Sequence, residues 1–233
     1  MKTIGLIGGM SWESTATYYR LINEGVKKVY GGFHSAKILL YSVDFAEIET
    51  LQVAGKWDEA GSLLADAACR LEQAGADCMM ICTNTMHKVA DQVAASIGVP
   101  LLHIADATAD RIVEDRVQTV GLLGTSFTME QSFYRGRLED RYGLQVIIPE
   151  ESERKIVHEV IFSELCFGEI VEKSRTSYLS IAENLARRGA EAIILGCTEI
   201  SLLLRAQDTD LRLYDTTALH AERAVREIVT NNE

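Results

Sequence analysis

Residues 75–83 read GADCMMICT and residues 189–197 read GAEAIILGC, and the two stretches align without a gap. Residues 3–11 (TIGLIGGMS) and 119–127 (TVGLLGTSF) form a second similar pair in the same order. Each half also ends in a short apolar run with a nearby aspartate before an Ala-rich segment. Any two strand–helix units share one such pattern, but three matches in one order indicate a duplicated lobe rather than a short-period solenoid.

The alternation of short apolar runs with longer amphipathic runs predicts the secondary structure. This alternation is typical of strand–helix units around a mainly parallel sheet. The predicted strands cover residues 3–7, 36–41, 78–82, 101–104, 119–123, 145–148, 192–195 and 211–214. The main predicted helices cover residues 12–28, 57–74, 174–188 and 217–230.

We therefore predict an α/β fold of two similar lobes related by a pseudo-twofold axis. Each lobe is expected to contain a mainly parallel four-stranded sheet flanked by helices. The first lobe is predicted to span residues 1–116 and the second residues 117–233, although the C-terminal helix could pack on the other lobe. The active site is expected in the cleft between the lobes, because ligands of open parallel sheets bind beyond the carboxyl ends of the strands.

Composition and charge narrow the functional classes. A formal net charge of −11 over 233 residues argues against nucleic-acid binding, which needs clustered Lys and Arg, but it allows a locally positive site for a small anion. No apolar run approaches the roughly 20 residues that span a bilayer, and no secretory signal pattern is recognisable. Five cysteines without a CxxC pair favour reduced thiols. We therefore expect a cytoplasmic protein with no membrane and no nucleic-acid partner.

Four loops that follow predicted strands are rich in small and polar residues. Each is expected to open a helix, whose free N–H groups suit a carboxylate ligand. For any single Ser, Thr or Asn in them, helix capping is the more ordinary role. Neither the G-x-G-x-x-G nor the G-x-x-x-x-G-K-[ST] spacing is present, so nucleotide binding is not predicted. The loops are residues 8–11, 83–85, 124–128 and 196–199.

Cys197 is the strongest single candidate for a catalytic residue. A thiol placed after a strand and at a helix N-terminus is expected to favour its thiolate form. Cys82 is one position out of register with Cys197, so its side chain should point to the opposite face of the sheet. The five histidines lack H-x-x-x-H or H-E-x-x-H spacing, so no metal site is predicted. His87 follows Thr83 by one helical turn and is expected either at the site or as a capping or surface residue.

Residues 83–87 (TNTMH) and 196–200 (GCTEI), with the loops at residues 8–11 and 124–125, resemble the aspartate/glutamate racemase family over nearly the whole chain. The resemblance implies two α/β lobes, an amino-acid substrate, no pyridoxal phosphate or other cofactor, no metal, and a homodimer. It also implies that two cysteines act on opposite faces of the α-carbon, one removing the α-proton and the other returning one. Two acid/base groups placed in this way allow inversion without turning the substrate over.

This sequence departs from the family pattern at one of these positions, because Thr83 stands where the first cysteine is usual. A threonine hydroxyl donates a proton but is a very poor base at neutral pH. The resemblance implies that the second-half cysteine, here Cys197, faces the L-substrate. We therefore expect racemisation of acidic amino acids that strongly favours L-glutamate and L-aspartate over their D forms, with Thr83 and Cys197 as the catalytic pair.

The resemblance also implies the substrate-binding residues. Backbone and side-chain groups around the loops are expected to hold the α-carboxylate and amine of the substrate. In relatives a further residue, which is often basic, binds the side-chain carboxylate of the substrate. In this sequence that residue is the neutral Gln52. The segment near residues 161–168 often supplies a lysine in relatives, and Cys166 stands near that place here. The complete predicted set is Met10, Gln52, Asn84, Thr85, Thr125, Thr128, Thr198 and Glu199.

Two other functions remain open from the sequence. Relatives that decarboxylate substituted malonates use a single second-half cysteine, and this chain also has only Cys197 in register. Alternatively, the chain is a catalytically inactive amino-acid-binding protein that lost turnover with its first cysteine. Tests of malonates against amino acids, and of α-proton exchange with solvent, distinguish the three.

Overall fold

A computed structural model describes residues 1–229 of the chain, and these residues contain two four-stranded parallel sheets flanked by helices. This arrangement confirms the predicted α/β class. The strands of the first sheet, in the order β2-β1-β3-β4, are β1 (Thr3–Gly8), β2 (Lys37–Ser42), β3 (Cys78–Ile81) and β4 (Leu101–Leu102). Those of the second, in the order β6-β5-β7-β8, are β5 (Thr119–Gly124), β6 (Gln145–Ile147), β7 (Ala192–Gly196) and β8 (Arg212–Asp215).

Helices lie between consecutive strands, because parallel strands must be joined by crossover connections. None of the helices described within residues 1–229 is long and apolar enough to cross a membrane. In the first half of the chain the helices are α1 (Trp12–Tyr30), α2 (Phe45–Val53), α3 (Trp57–Gln73), α4 (Ala90–Ala95) and α5 (Ile104–Glu114). In the second half they are α6 (Ser126–Glu130), α7 (Arg135–Tyr142), α8 (Glu151–Ser163), α9 (Glu172–Arg187), α10 (Ile200–Leu203) and α11 (Thr216–Ile228).

The eight predicted strands and the four main predicted helices are confirmed, with ends that shift by one or two residues. One end needs a correction: Ile104 was predicted to end a strand, but it begins α5. The strand stops early because the N–H of Ile104 is taken by the imidazole of His87 at 3.1 Å rather than by a neighbouring strand. The last predicted helix is α11, and its predicted final residue, Thr230, lies outside the described residues.

The strand registers reproduce the repeat seen in the sequence. In the first sheet Ile4 of β1 pairs with Cys78 of β3. In the second sheet their sequence counterparts, Val120 of β5 and Ala192 of β7, pair with each other. The two central ladders therefore have the same register, and the residues that follow β3 and β7 occupy equivalent positions in the two sheets.

Side chains of β3 alternate between two apolar clusters in the first unit. Met79 and Ile81 pack in a cluster with helix α3. Cys78, Met80 and Cys82 pack in the other cluster, which contains residues of α1 and α11 such as Tyr18 and Val225. Cys82 is therefore a core residue on the face predicted from its register.

Contacts group residues 1–104 with residues 220–229 into one compact unit, and residues 105–219 into another. The expected division lies at residue 116, with a C-terminal helix that could pack on the other lobe. Most of α5 belongs to the second unit and most of α11 to the first. In α5, Asp106 forms an ion pair with Arg137 of α7 at 2.6 Å. In α11, Ala224 and Ile228 are buried in the core of the first unit.

Glycine allows a helix to lie close over the central strand in both units. An ideal Cβ on Gly5 would lie 2.7 Å from Met79 Sδ and 3.3 Å from Leu71 Cβ of α3. At the equivalent Gly121, a Cβ would lie 2.7 Å from Ile193 Cδ1 and 3.0 Å from Leu185 Cδ1 of α9. Both distances to the neighbouring strand are shorter than Cβ contacts normally allow, so a larger residue must displace packed core side chains.

We predict that Gly121→Ala destabilises the protein by about 1–3 kcal/mol, the usual effect of adding a methyl group to a packed core. The matched control is Gly136→Ala in α7, where the nearest atom to a new Cβ is Ser132 Cβ at 3.3 Å. There alanine is expected to be neutral or to stabilise by up to about 1 kcal/mol through helix propensity. Urea unfolding measures both, and equal midpoints for Gly121→Ala and the unmodified protein would contradict the packing argument.

Candidate active site

The loop after β3 presents Thr83 between buried neighbours. The N–H of Cys82 donates to the C=O of Ile7 at 2.9 Å and extends the β1–β3 ladder by one residue. The C=O of Cys82 accepts the hydroxyl of Ser14 at 3.0 Å, and the C=O of Thr83 lies 2.8 Å from His87 Nδ1. Thr83 itself is partly exposed. The backbone on both sides of the predicted catalytic hydroxyl is therefore held by side chains of the first unit.

The residues after Thr83 form a 3₁₀ turn at Thr85–Val89 rather than the expected α-helix. Asn84 and Thr85 are both buried, with 3% and 8% of their surface exposed. A turn this short lacks the aligned peptide dipoles of a longer helix. The expected attraction of an anion to a helix N-terminus is therefore not available at this loop, and any binding there relies on individual N–H and hydroxyl groups.

The loop after β1 is held by hydroxyl groups and by glycine. Ser11 is the N-cap of α1 and accepts the N–H of Ser14 at 3.2 Å, while Thr15 Oγ1 accepts the N–H of Gly9 at 2.8 Å. Gly9 has φ of 93°, and a Cβ there would lie 2.2 Å from the C=O of Val43, so only glycine fits. Met10, predicted to bind substrate, has its side chain buried in the apolar core. Only its backbone remains as a candidate contact.

Gln52, predicted to meet the substrate's side-chain carboxylate, is also a buried residue. It lies near the end of α2 with 6% of its surface exposed. Its Nε2 donates to Met86 Sδ at 3.0 Å. The structure therefore places this amide against a core thioether.

The loop after β7 presents Cys197 in the same way that the first loop presents Thr83. Cys197 is partly exposed, while Thr198 and Glu199 are buried. The Cys197 thiol donates to Glu199 Oε2 at 2.9 Å, and Thr198 Oγ1 accepts the hydroxyl of Thr217 at 3.1 Å. The loop therefore joins a thiol to a buried carboxylate, two groups between which a proton can move.

The protonation state of Cys197 differs from the expectation of a thiolate. Burial raises the pKa of the Cys197 thiol well above its usual value, and the charge of Glu199, together with the hydrogen bond to it, raises this pKa further. The helix that follows, α10, has only four residues and starts at Ile200, so its dipole is too small to reverse the effect. Burial and the charge of Glu199 therefore favour the protonated thiol of Cys197.

The loop after β5 is a helix cap. Thr125 is the N-cap of α6, and its Oγ1 accepts the N–H of Thr128 at 3.3 Å. Thr128 is fully buried, so its side chain supports Thr125 rather than facing a ligand. The N–H of Ser126 donates to His158 Nδ1 at 3.2 Å.

The structure brings the predicted residues together within each unit. In the first unit β1 and β3 are adjacent, so the Met10 and Thr83 loops leave the same edge of one sheet. In the second unit Gly124 pairs with Gly196, which brings the Thr125 and Cys197 loops together. Within residues 1–229, no cluster of three or more His, Cys, Asp or Glu side chains is arranged to hold a metal ion.

Sequence reasoning missed two roles. It assigned Glu199 to the substrate, whereas the carboxylate is bonded to Cys197. The spacing of two residues was a usable signal, because both side chains lie in one turn. It also left His87 undecided, and no local pattern indicates that its ring bonds to the C=O of Thr83.

The chain matches known proteins over almost its full length. The profile of the family described as Asp/Glu/Hydantoin racemase matches residues 7–224. The crystal structure of a candidate Asp/Glu racemase from Yersinia pestis is 54% identical, covers 99% of this chain and 100% of its own, and superposes with a TM-score of 0.94. An aspartate racemase homologue from Pyrococcus horikoshii OT3 is 34% identical over 97% of this chain and 98% of its own, with a TM-score of 0.84. The broad specificity amino-acid racemase RacX of Bacillus subtilis (strain 168) is 23% identical over 95% of this chain and 96% of its own.

We predict that Glu199→Gln makes Cys197 more reactive towards iodoacetamide at pH 8. The substitution removes a negative charge that raises the thiol pKa, so the pKa falls and the thiolate fraction at a fixed pH rises. The expected increase is several-fold, measured by mass spectrometry on the peptide that contains Cys197. Glu183→Gln, at an exposed position of α9, is the matched control. An unchanged or slower alkylation rate in Glu199→Gln would show that the carboxylate does not suppress the thiolate.

Proposed function

The chain belongs to the Asp/Glu/hydantoin racemase family, and from this premise we propose that it racemises acidic amino acids without a cofactor. The proposed substrates are L-glutamate and L-aspartate, from which Cys197 removes the α-proton much faster than Thr83 removes it from the D forms. Cys197 and Thr83 are the proposed proton-transferring residues. The observation that carries the proposal is the hydrogen bond between the Cys197 thiol and the Glu199 carboxylate at the carboxyl end of β7.

Three relatives support the substrate class at different levels. The Yersinia pestis and Pyrococcus horikoshii proteins are described as an Asp/Glu racemase candidate and an aspartate racemase homologue. RacX is described as acting on a broad range of amino acids. Because Gln52 is neutral and bonded to Met86, we propose that the preference for an acidic side chain is moderate rather than absolute. A homodimer in the cytoplasm is part of the same proposal.

We propose that Glu199 prepares Cys197 for proton abstraction. The carboxylate takes the proton of the thiol, and the resulting thiolate removes the α-proton from the L-substrate. The electron pair of the broken Cα–H bond stays on the substrate, where donors around its carboxylate stabilise the charge. A bound substrate also brings its ammonium group, and a nearby positive charge favours the thiolate. Substrate binding therefore lowers the thiol pKa that burial and Glu199 raise in the free protein.

We propose that the Thr83 loop completes the reaction from the other face of the α-carbon. The hydroxyl of Thr83 donates a proton to the carbanion and takes one back from water, and the proton that Glu199 took from Cys197 neutralises the hydroxide that remains. The reverse reaction would require the same hydroxyl to act as a base, which it does very poorly near neutral pH. Asn84, Thr85, Thr198 and the backbone at Met10 are the proposed contacts of the substrate carboxylate and amine, with Thr125 as a further donor.

The expected test is α-proton exchange in D₂O, followed by proton NMR, with chiral chromatography to follow inversion. L-glutamate and L-aspartate should lose their α-proton and invert, whereas the D forms should react slowly. Cys197→Ala should lower exchange from the L side by about 10²–10⁴-fold, the usual contribution of a positioned acid/base group. Cys69→Ala, which removes a partly exposed thiol of α3, is the matched control and should retain activity.

Each other result points to a different function. Turnover of substituted malonates without amino-acid exchange would indicate the single-cysteine decarboxylase. Amino-acid binding without exchange would indicate a non-catalytic binding protein. Equal rates from L and D substrates would show that Thr83 is not the limiting group on its face.

We predict that Thr83→Cys increases α-proton exchange of D-glutamate by at least tenfold relative to the unmodified protein, because a thiol at this position ionises far more readily than a hydroxyl. Exchange of L-glutamate should change much less, since Cys197 is untouched. Thr83→Ser keeps a hydroxyl and is the control that should not gain D-side activity. If Thr83→Cys folds but exchanges the α-proton of D-glutamate no faster than the unmodified protein, Thr83 does not determine the preference for L substrates.

A further inference from the structure

His87 bridges two backbone segments of the first unit beside the Thr83 loop. Its Nδ1 lies 2.8 Å from the C=O of Thr83, and its Nε2 accepts the N–H of Ile104 at 3.1 Å. The ring is almost completely buried, with 2% of the residue exposed. A histidine held at both ring nitrogens fixes the distance between the loop after β3 and the chain at the end of β4.

The two partners define the state of the imidazole. A peptide N–H can only donate, so Nε2 must present a lone pair to Ile104. A carbonyl oxygen can only accept, so Nδ1 must carry the proton that is shared with Thr83. His87 is therefore a neutral imidazole in the Nδ1–H form.

Because the turn is 3₁₀, the C=O of Thr83 is bonded by the side chain of His87 rather than by its backbone N–H. In an α-helix the N–H of residue 87 would donate to the C=O of residue 83. Here the N–H of His87 donates instead to the C=O of Asn84 at 3.0 Å, because the turn is tighter. The side chain of His87 supplies a donor to the C=O of Thr83, one turn back along the chain.

Other buried aromatic rings surround His87 and restrict its rotation. The His103 ring centroid is 4.5 Å away and that of His220 is 5.6 Å away, both at steep interplanar angles. His220 is itself held, with Nε2 2.8 Å from the C=O of Leu102 and Nδ1 3.0 Å from the hydroxyl of Tyr18. The orientation of the His87 imidazole is thus set by packing as well as by its two hydrogen bonds.

We propose that His87 is a positioning residue for the Thr83 side of the reaction. Its Nδ1–H holds the Thr83 peptide so that the hydroxyl returns a proton to one face of the substrate, while Cys197 works without it. The inference rests on the proposed racemase function and extends it to a residue that does not touch the substrate. The positioning role of His87 predicts that two rates respond differently to its substitution. The rate of α-proton exchange depends on Cys197, whereas the rate of inversion depends on Thr83 as well.

The test compares His87→Gln with His87→Asn on L-glutamate in D₂O. The Gln amide reaches the position of Nε2 and can accept from Ile104, but it removes the donor to Thr83. The Asn amide nitrogen occupies the position of Nδ1 and can restore that donor. We expect inversion to fall about tenfold in His87→Gln, the effect of one hydrogen bond, with exchange within about twofold of the unmodified protein. His87→Asn should recover most of the inversion.

The outcomes separate this inference from the proposed function. An unmodified protein that exchanges no amino-acid α-proton would overturn the racemase function and the inference with it. An active protein in which Gln and Asn behave alike, or in which exchange and inversion fall together, would overturn the positioning role alone. Imidazole ¹⁵N NMR of the unmodified protein gives a second measurement that does not depend on the variants folding. It should show Nδ1 protonated and Nε2 unprotonated for His87, and the opposite tautomer would contradict the inference.

Discussion

The parallel ladder between each pair of central strands is the constraint on which both candidate loops depend. Ile7 pairs with Ile81 in the first sheet, and Gly124 with Gly196 in the second. Parallel strands must be joined by crossovers, so their carboxyl ends share one edge and the loops leave from it. Because the two ladders have the same register, Thr83 and Cys197 follow their strands at equivalent places. The two proposed catalytic residues thus stand at backbone positions that the sheets determine.

The same backbone carries different chemistry in the two units. Cys82 and Gly196 are equivalent positions, but a Cβ on Gly196 would lie 2.8 Å from the C=O of Leu123, whereas Cys82 fits within the core. Burial raises the pKa of Cys82, so its sulfur is an unreactive core group despite its place next to Thr83. The thiol that can act is the partly exposed one, Cys197, which has a carboxylate as its hydrogen-bond partner. The proposed preference for removing the α-proton of L substrates follows from this difference in side chains.

The sequence was sufficient for the sheets because their period and their repeat are properties of the chain itself. The strands, the equivalence of Thr83 with Cys197, and the opposite orientation of Cys82 all follow from counting residues. The type and length of the helices after the loops were harder to predict from the sequence. The 3₁₀ turn at Thr85–Val89 and the four-residue α10 differ from longer helices through their tertiary contacts. The thiol state of Cys197 was not predictable either, since it is set by burial and by a carboxylate whose orientation the sequence does not contain.

A partly exposed thiol bonded to a carboxylate is a reasonable resting state for the proposed racemase. A permanent thiolate would be a nucleophile open to alkylation and oxidation at all times. An opposite charge about 4 Å away contributes about 4 kcal/mol at a protein surface, and one pKa unit corresponds to about 1.4 kcal/mol. A positive charge of this kind lowers the pKa of Cys197, in the direction opposite to burial and Glu199. In the proposed mechanism the ammonium group of the substrate therefore favours formation of the base that removes its α-proton.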